Sequence, residues 1–333
     1  MCAVNGPHAR MHARLKQKIC LVSPAPPTTY TGNRTTAERW ASILEALGHQ
    51  VVSRREIDDE AYEILIALHA WKSAASIRKY ATEQPDRPLI VAMTGTDLYG
   101  HIHQEADARR SLELADRLVL LQPDGIGQLP QTVRHKARVI YQSAVGPPGD
   151  TACRSGDAFD VCVIGNLRDV KDPFRAAAAA RLLPQSSRIR IVQVGKALDD
   201  QMAAAAHREM RENPRYEWRG EKSPDECRTL LATSRVMVLS SRSEGGANVI
   251  SESVVAGVPV IASRISGTVG LLGADYPGYY PFGDTQALRD LLSRVEVDAA
   301  FLAELARRCD ARAELFDPAA ERCAWQQLLA EFN

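Results

Sequence analysis

Short apolar runs rich in β-branched residues alternate with longer stretches of helical periodicity along most of the chain. The runs at 19–23, 50–54, 64–69, 89–94, 117–122 and 138–142 predict strands in the first half. Helical patterns lie between them, as at 35–47, where Ala37, Trp40, Ala41, Leu44 and Leu47 share one face and Gly48 supplies the stop. Over 145–157 the pattern breaks into a turn-rich stretch with no periodicity. It restarts with strands expected at 161–165, 189–194, 216–218, 236–240 and 258–262, and ends in an amphipathic helix carrying Trp325, Leu328, Leu329 and Phe332. Such alternation predicts an α/β fold of parallel sheets covered on both faces. At 333 residues one core is not enough, so two domains are expected, 18–148 and 149–318, behind a loose extension at 1–17.

Composition removes whole classes of function. The 41 basic and 41 acidic residues balance, leaving no surplus for a nucleic acid. No stretch approaches 18 consecutive apolar residues, so no membrane partner is expected. The seven cysteines are scattered and never form a CxxC pair, which suits free thiols in a cytoplasmic protein better than disulfides or zinc. Neither GxGxxG after a strand, a P-loop, HExxH nor an Asp-x-Asp pair occurs, so no cofactor and no metal site are expected.

The densest chemistry lies between the expected strands 236–240 and 258–262. Glu244 is followed by Gly245, Gly246, Ala247 and Asn248, then by a short helix carrying Glu252. The glycines let backbone amides approach an anion, and the helix start behind them favours negative charge. On a helical rise of about 1.5 Å per residue the two carboxylates lie about 12 Å apart, a span that suits a nucleotide sugar with one carboxylate at the hexose and one at the ribose diol. The spacing alone carries nothing, since Glu105/Glu113, Glu209/Glu217 and Glu296/Glu304 repeat it. The strand before, the double glycine within and the strand after set this pair apart. Earlier, Arg168 and Lys171 follow the expected strand 161–165 and can aim both charges at one diphosphate, unless they pair with Asp169 and Asp172.

These two pieces resemble the carboxyl-terminal domain of GT-B glycosyltransferases of the family-4-like group. The resemblance implies two Rossmann-like domains facing across a cleft, with the last helix (319–333) crossing back to the first. It also implies Arg168 and Lys171 as the diphosphate clamp, Glu252 at the ribose and Glu244 at the sugar. First-domain segments, among them Thr31-Gly32-Asn33-Arg34-Thr35, Leu68-His69-Ala70, Thr94-Gly95-Thr96-Asp97 and Tyr141-Gln142-Ser143-Ala144, are similar to the selenosugar synthases of selenoneine biosynthesis. That branch implies transfer of a hexosyl group from UDP-N-acetylglucosamine or UDP-glucose to selenophosphate, with UDP released and a 1-selenosugar formed.

A selenophosphate acceptor is already anionic, so the site needs little base catalysis but must hold two polyanions together. The first domain offers the Gly32-Asn33 turn at a helix start, Arg34, Lys72 on a helix, His69, and the Thr94-Gly95-Thr96 turn. His69 either serves the site or is a hydrogen-bonded structural histidine. Asp97 either orients a sugar hydroxyl or caps the next helix.

Overall fold

Every second residue of the strand Ile64–Leu68 faces a different core: Ile64, Ile66 and Leu68 pack with Trp40 and Trp325, while Leu65 and Ala67 pack with Tyr62, Ile77 and Tyr80. All five are buried, as a continuous apolar strand inside a doubly covered parallel sheet must be. A computed structural model describes residues 16–24, 32–147 and 158–332, so most of the 1–17 extension, the Thr31 end of the first-domain motif and most of the 145–157 break lie outside the described residues.

The first sheet contains β1 (Lys18–Val22), β2 (Gln50–Arg54), β3 (Ile64–Leu68), β4 (Leu89–Ala92), β5 (Arg117–Leu120) and β6 (Ala137–Val139), in the order β2-β1-β3-β4-β5-β6. The second contains β7 (Phe159–Ile164), β8 (Ile189–Val194), β9 (Tyr216–Trp218), β10 (Val236–Leu239), β11 (Val260–Ser263) and β12 (Tyr279–Tyr280), in the order β12-β11-β10-β7-β8-β9. Every pairing is parallel. The second order is that of the dinucleotide-binding fold, and strand order reverses at β1/β3 in one sheet and β7/β10 in the other. Crevices at such points collect ligands, because the loops leaving adjacent strands run to opposite faces.

Some elements differ from the sequence expectation. The first helix begins at Gly32, three residues before the expected start at 35, and β11 starts two residues late. β12 was not expected; it has only two residues and follows a proline-glycine turn, too short for any period.

The helix Pro318–Ala330 lies on the first domain, where Trp325 meets Trp40 edge-on with ring centroids 4.8 Å apart. The chain therefore passes between domains twice, and the passages touch: the Ala144 amide donates to the Phe316 carbonyl at 3.1 Å. Among the described residues no helix is long and apolar enough to cross a membrane.

Candidate functional site

A cavity of about 350 Å³ lies between the domains, lined by the residues that leave the carboxyl ends of both sheets. Of the residues singled out in the sequence, Gly32, Asn33, His69, Lys72, Thr94, Gly95, Thr96, Arg168, Lys171, Glu244, Gly245, Gly246, Ala247, Asn248 and Glu252 all line it. Asp97 and Arg34 do not. Arg34 pairs with Glu38 one turn along its own helix.

The turn after β7 and the loop after β10 are bound into one unit. Ser240 Oγ donates to the Lys171 and Asp172 carbonyls at 3.0 and 2.8 Å, and the Arg242 amide donates to the Val170 carbonyl at 2.8 Å. Lys171 Nζ then reaches Glu244 Oε1 at 2.5 Å, an oxygen that also accepts from Ser241 Oγ. The expected clamp is thus divided. Lys171 is joined to the carboxylate expected at the sugar, and Arg168 stands exposed at the cavity with no ion pair among the described residues. Asp172 pairs with Arg175, so the alternative of a self-neutralised turn does not hold for Lys171.

Residues 244–247 are not helical; the helix runs from Asn248 to Val255, so a helical rise does not apply across the whole Glu244–Glu252 interval. Glu252 faces the cavity with no hydrogen bond from the described residues. Burial raises its carboxyl above the usual range, while the positive charges of Arg39 and Arg228 pull it back.

The double glycine has a second reason to be there. A Cβ on Gly245 would lie 2.5 Å from the Thr94 carbonyl carbon, and one on Gly95, itself at φ +131°, would lie 2.8 Å from the Gly245 nitrogen. One on Gly246 would strike Leu121 at 2.4 Å. The two domains touch along this backbone seam, which only glycine permits. Beside it Tyr99 Oη sits 3.1 Å from Ser266 Oγ and accepts from Gln122 Nε2 at 3.0 Å.

Asp97 is fully buried behind the first-domain wall. Its Oδ1 accepts from the Thr94 and Gly95 amides at 2.9 Å each and its Oδ2 from the Ala70 amide at 3.0 Å. It therefore shapes the loops around it and contacts no cavity space. His69 is buried, with φ +71°, a left-handed backbone that side chains rarely adopt away from functional or tightly determined positions. Its Nδ1 accepts from the Lys72 amide at 3.2 Å, which assigns the ring proton to Nε2, 3.1 Å from Thr96 Oγ1. Burial chiefly, with Lys72 and His101 adding to it and Asp97 opposing, holds the imidazole below its usual range and neutral. Lys72 itself lies in an exposed turn ahead of the helix Ala74–Glu83 rather than on a helix.

Two helix starts face the cavity, Gly32 and Asn248, with Asn248 Nδ2 3.9 Å from where a Gly32 side chain would begin. Sequence reasoning gave no role to Thr35, Thr36, Asn166, Leu198, Ser243 and Gln142, all of which line the cavity. Asn166 and Leu198 follow strand ends, a signal available from the pattern; Gln142, whose Nε2 donates to Thr36 Oγ1 at 2.5 Å, had none. Among the described residues no group of three or more His, Cys, Asp or Glu is placed to hold a metal ion.

Residues 154–316 match the family model of glycosyl transferases group 1. The second domain thus resembles glycosyl transferases group 1, in a chain with the GT-B fold. Across 86% of the chain and 89% of the relative, the sequence is 25% identical to glycosyltransferase 1 domain-containing protein 1 of Xenopus tropicalis. The fold is similar to that of Anabaena HepE in complex with UDP-glucose, with a TM-score of 0.75 at 17% identity over 95% of this chain and 100% of that one. Sucrose-phosphate synthase of Thermosynechococcus elongatus follows at 0.74 and 16% identity, over 95% and 99%.

Proposed function

We propose that this chain transfers a hexosyl group from a UDP-sugar, UDP-N-acetylglucosamine or UDP-glucose, to selenophosphate, releasing UDP and leaving a 1-selenosugar. The donor half of the reading is supported by the group 1 resemblance, by Arg168 and Glu252 open to one cavity, and by a fold-mate whose structure holds UDP-glucose. The observation that carries the acceptor half is the commitment of three titratable groups at the seam, His69, Asp97 and Glu244. His69 spends both ring nitrogens, Asp97 spends its carboxylate on three amides, and Glu244 is held by Lys171 and Ser241. None is left as a positioned base for a hydroxyl, which favours a nucleophile that brings its own negative charge.

In this reading selenium forms its bond to the anomeric carbon as the bond from that carbon to the UDP oxygen breaks. The electron pair leaves with UDP, whose diphosphate charge meets Arg168 and the Lys171–Glu244 pair. Water then cleaves the selenium–phosphorus bond, giving inorganic phosphate and the selenol. The acceptor phosphoryl oxygens meet Lys72, Thr96 and the helix start at Gly32–Asn33, since the Thr94 and Gly95 amides are already taken by Asp97. Glu252 accepts the ribose hydroxyls.

Purified protein given either donor, with and without selenophosphate, tests the proposal by UDP release and mass spectrometry of the product. Selenophosphate-dependent UDP release with a selenium-bearing hexose is expected. No such dependence with either donor would overturn the acceptor assignment.

A further inference from the structure

We infer that Arg39, on the opening helix of the first domain, completes the nucleotide subsite from across the cleft, and that buried Glu321 on the crossing helix aims it. The inference rests on the UDP-donor reading above. Arg39 Nη2 donates to Asn248 Oδ1 at 3.3 Å, and Asn248 opens the helix that carries Glu252 one turn further on, on the same face. Both Asn248 and Glu252 line the cavity. Of the charges that act on the Glu252 carboxyl, that of Arg39 counts most.

The other side of the guanidinium is anchored. Arg39 Nε lies 3.1 Å from a Glu321 oxygen, and the Glu321 side chain is wholly shielded from solvent. That carboxylate also accepts from Trp40 Nε1 at 2.8 Å, from the Ser143 amide at 2.8 Å and from Ser143 Oγ. A carboxylate this deep persists only when paired and hydrogen-bonded, and donors from the first helix and the domain crossover fix its position. Arg39 is held by it from one side, so the far end of the guanidinium has little choice of direction.

Structural need alone does not send that end to Asn248. A cation beside a helix start opposes the helix dipole, which favours negative charge there. The placement is reasonable where the cation serves a ligand-facing carboxylate at the same spot, here that of Glu252. Glu321 and Arg39 then act as positioning residues: they keep Glu252 ionised and Asn248 oriented, so the ribose diol meets an acceptor of full charge. The effect is tied to the two domains being together, since Arg39 and Glu252 belong to different ones.

Calorimetric titration of the full chain with UDP and with 2′,3′-dideoxy-UDP separates this from a general role in folding, with melting temperatures recorded alongside. Arg39→Gln is expected to weaken UDP about tenfold, the loss of one charge-assisted contact, while weakening dideoxy-UDP by less than about twofold. Glu321→Gln, with Arg39 intact, should weaken UDP by about threefold. Should Arg39→Gln fail to fold, Arg39→Lys keeps the charge near Glu321 with a shorter reach, and an intermediate loss confined to UDP is expected. UDP affinity unchanged in whichever Arg39 variant folds, or an equal loss for both nucleotides, would overturn the inference and leave the donor reading standing. Wild-type protein that binds neither nucleotide would overturn the donor reading and this inference together.

Discussion

From the second domain the cavity receives full charges, Arg168, Lys171, Glu244 and Glu252; from the first it receives mostly hydroxyls, a helix start and a neutral histidine. Lys72 lines the first-domain side, exposed, in a turn. The difference follows from how each wall is built. In the second domain a charged turn and a carboxylate loop leave neighbouring strands and are tied together by Ser240. In the first, buried Asp97 takes the Ala70, Thr94 and Gly95 amides and so fixes the two loops that border the cavity. One wall meets the cavity mainly with charged side chains, the other mainly with neutral groups.

The comparison breaks most completely if the walls are prised apart. Gly245→Ala places a methyl group 2.5 Å from the Thr94 carbonyl carbon, where both neighbours are backbone and cannot rotate away. Turnover should fall by about a hundredfold or more, as misplacement by about 1 Å does elsewhere, and thermal stability by about 1–3 kcal/mol. Activity assay and thermal melts check both. A smaller and more selective effect is expected from the cations. Arg168→Ala should weaken UDP by about tenfold to a hundredfold, the worth of a charged hydrogen bond. Lys72→Ala should leave UDP affinity within about twofold and raise the acceptor KM instead. Equal effects of the two on UDP would erase the division between walls.

The smallest effect is that of pH. Because burial raises the Glu252 carboxyl, it takes up its proton earlier than an exposed glutamate as pH falls, and on the proposed donor reading the ribose then loses a charged acceptor. Affinity for UDP-glucose, whose diphosphate does not titrate in this range, should drop by about twofold to fivefold on the acid side, and Glu252→Gln should abolish the dependence. The stability contribution of Glu252 has the opposite sign: present in acid, it is lost as pH rises through the raised value. His69 runs the other way. Its depressed value means that stability is present above the ordinary 6.5 and is lost as pH falls through its folded value.

The strands were legible because parallel strands buried on both faces leave continuous β-branched runs, as Ile64–Leu68 does. Their order was not, since nothing local in Ile19 or Val161 records which strand lies beside it. The site was legible where residues follow strand ends: Arg168, Lys171, Glu244 and Lys72 all do. What remained hidden depends on contact between residues far apart in the sequence. Lys171 looks like a free cation until Glu244 is brought to it, and Gly245 looks like an anion cradle until Thr94 arrives. Arg39 reads as an ordinary solvated helix position, because its partners lie 209 and 282 residues away.

The two passages of chain between the domains run side by side, joined where the Ala144 amide meets the Phe316 carbonyl. A single tether would act as a ball joint, free to twist as well as to bend. A pair of tethers defines an axle: the halves can swing about it as a door does, but rotation around the line joining their centres is resisted. Any swing about that axle would bring Gly95 and Gly245 back to the same register. Cutting the chain between Phe316 and Trp325 would remove one pin of that hinge, and with it the guarantee that the two walls meet face to face.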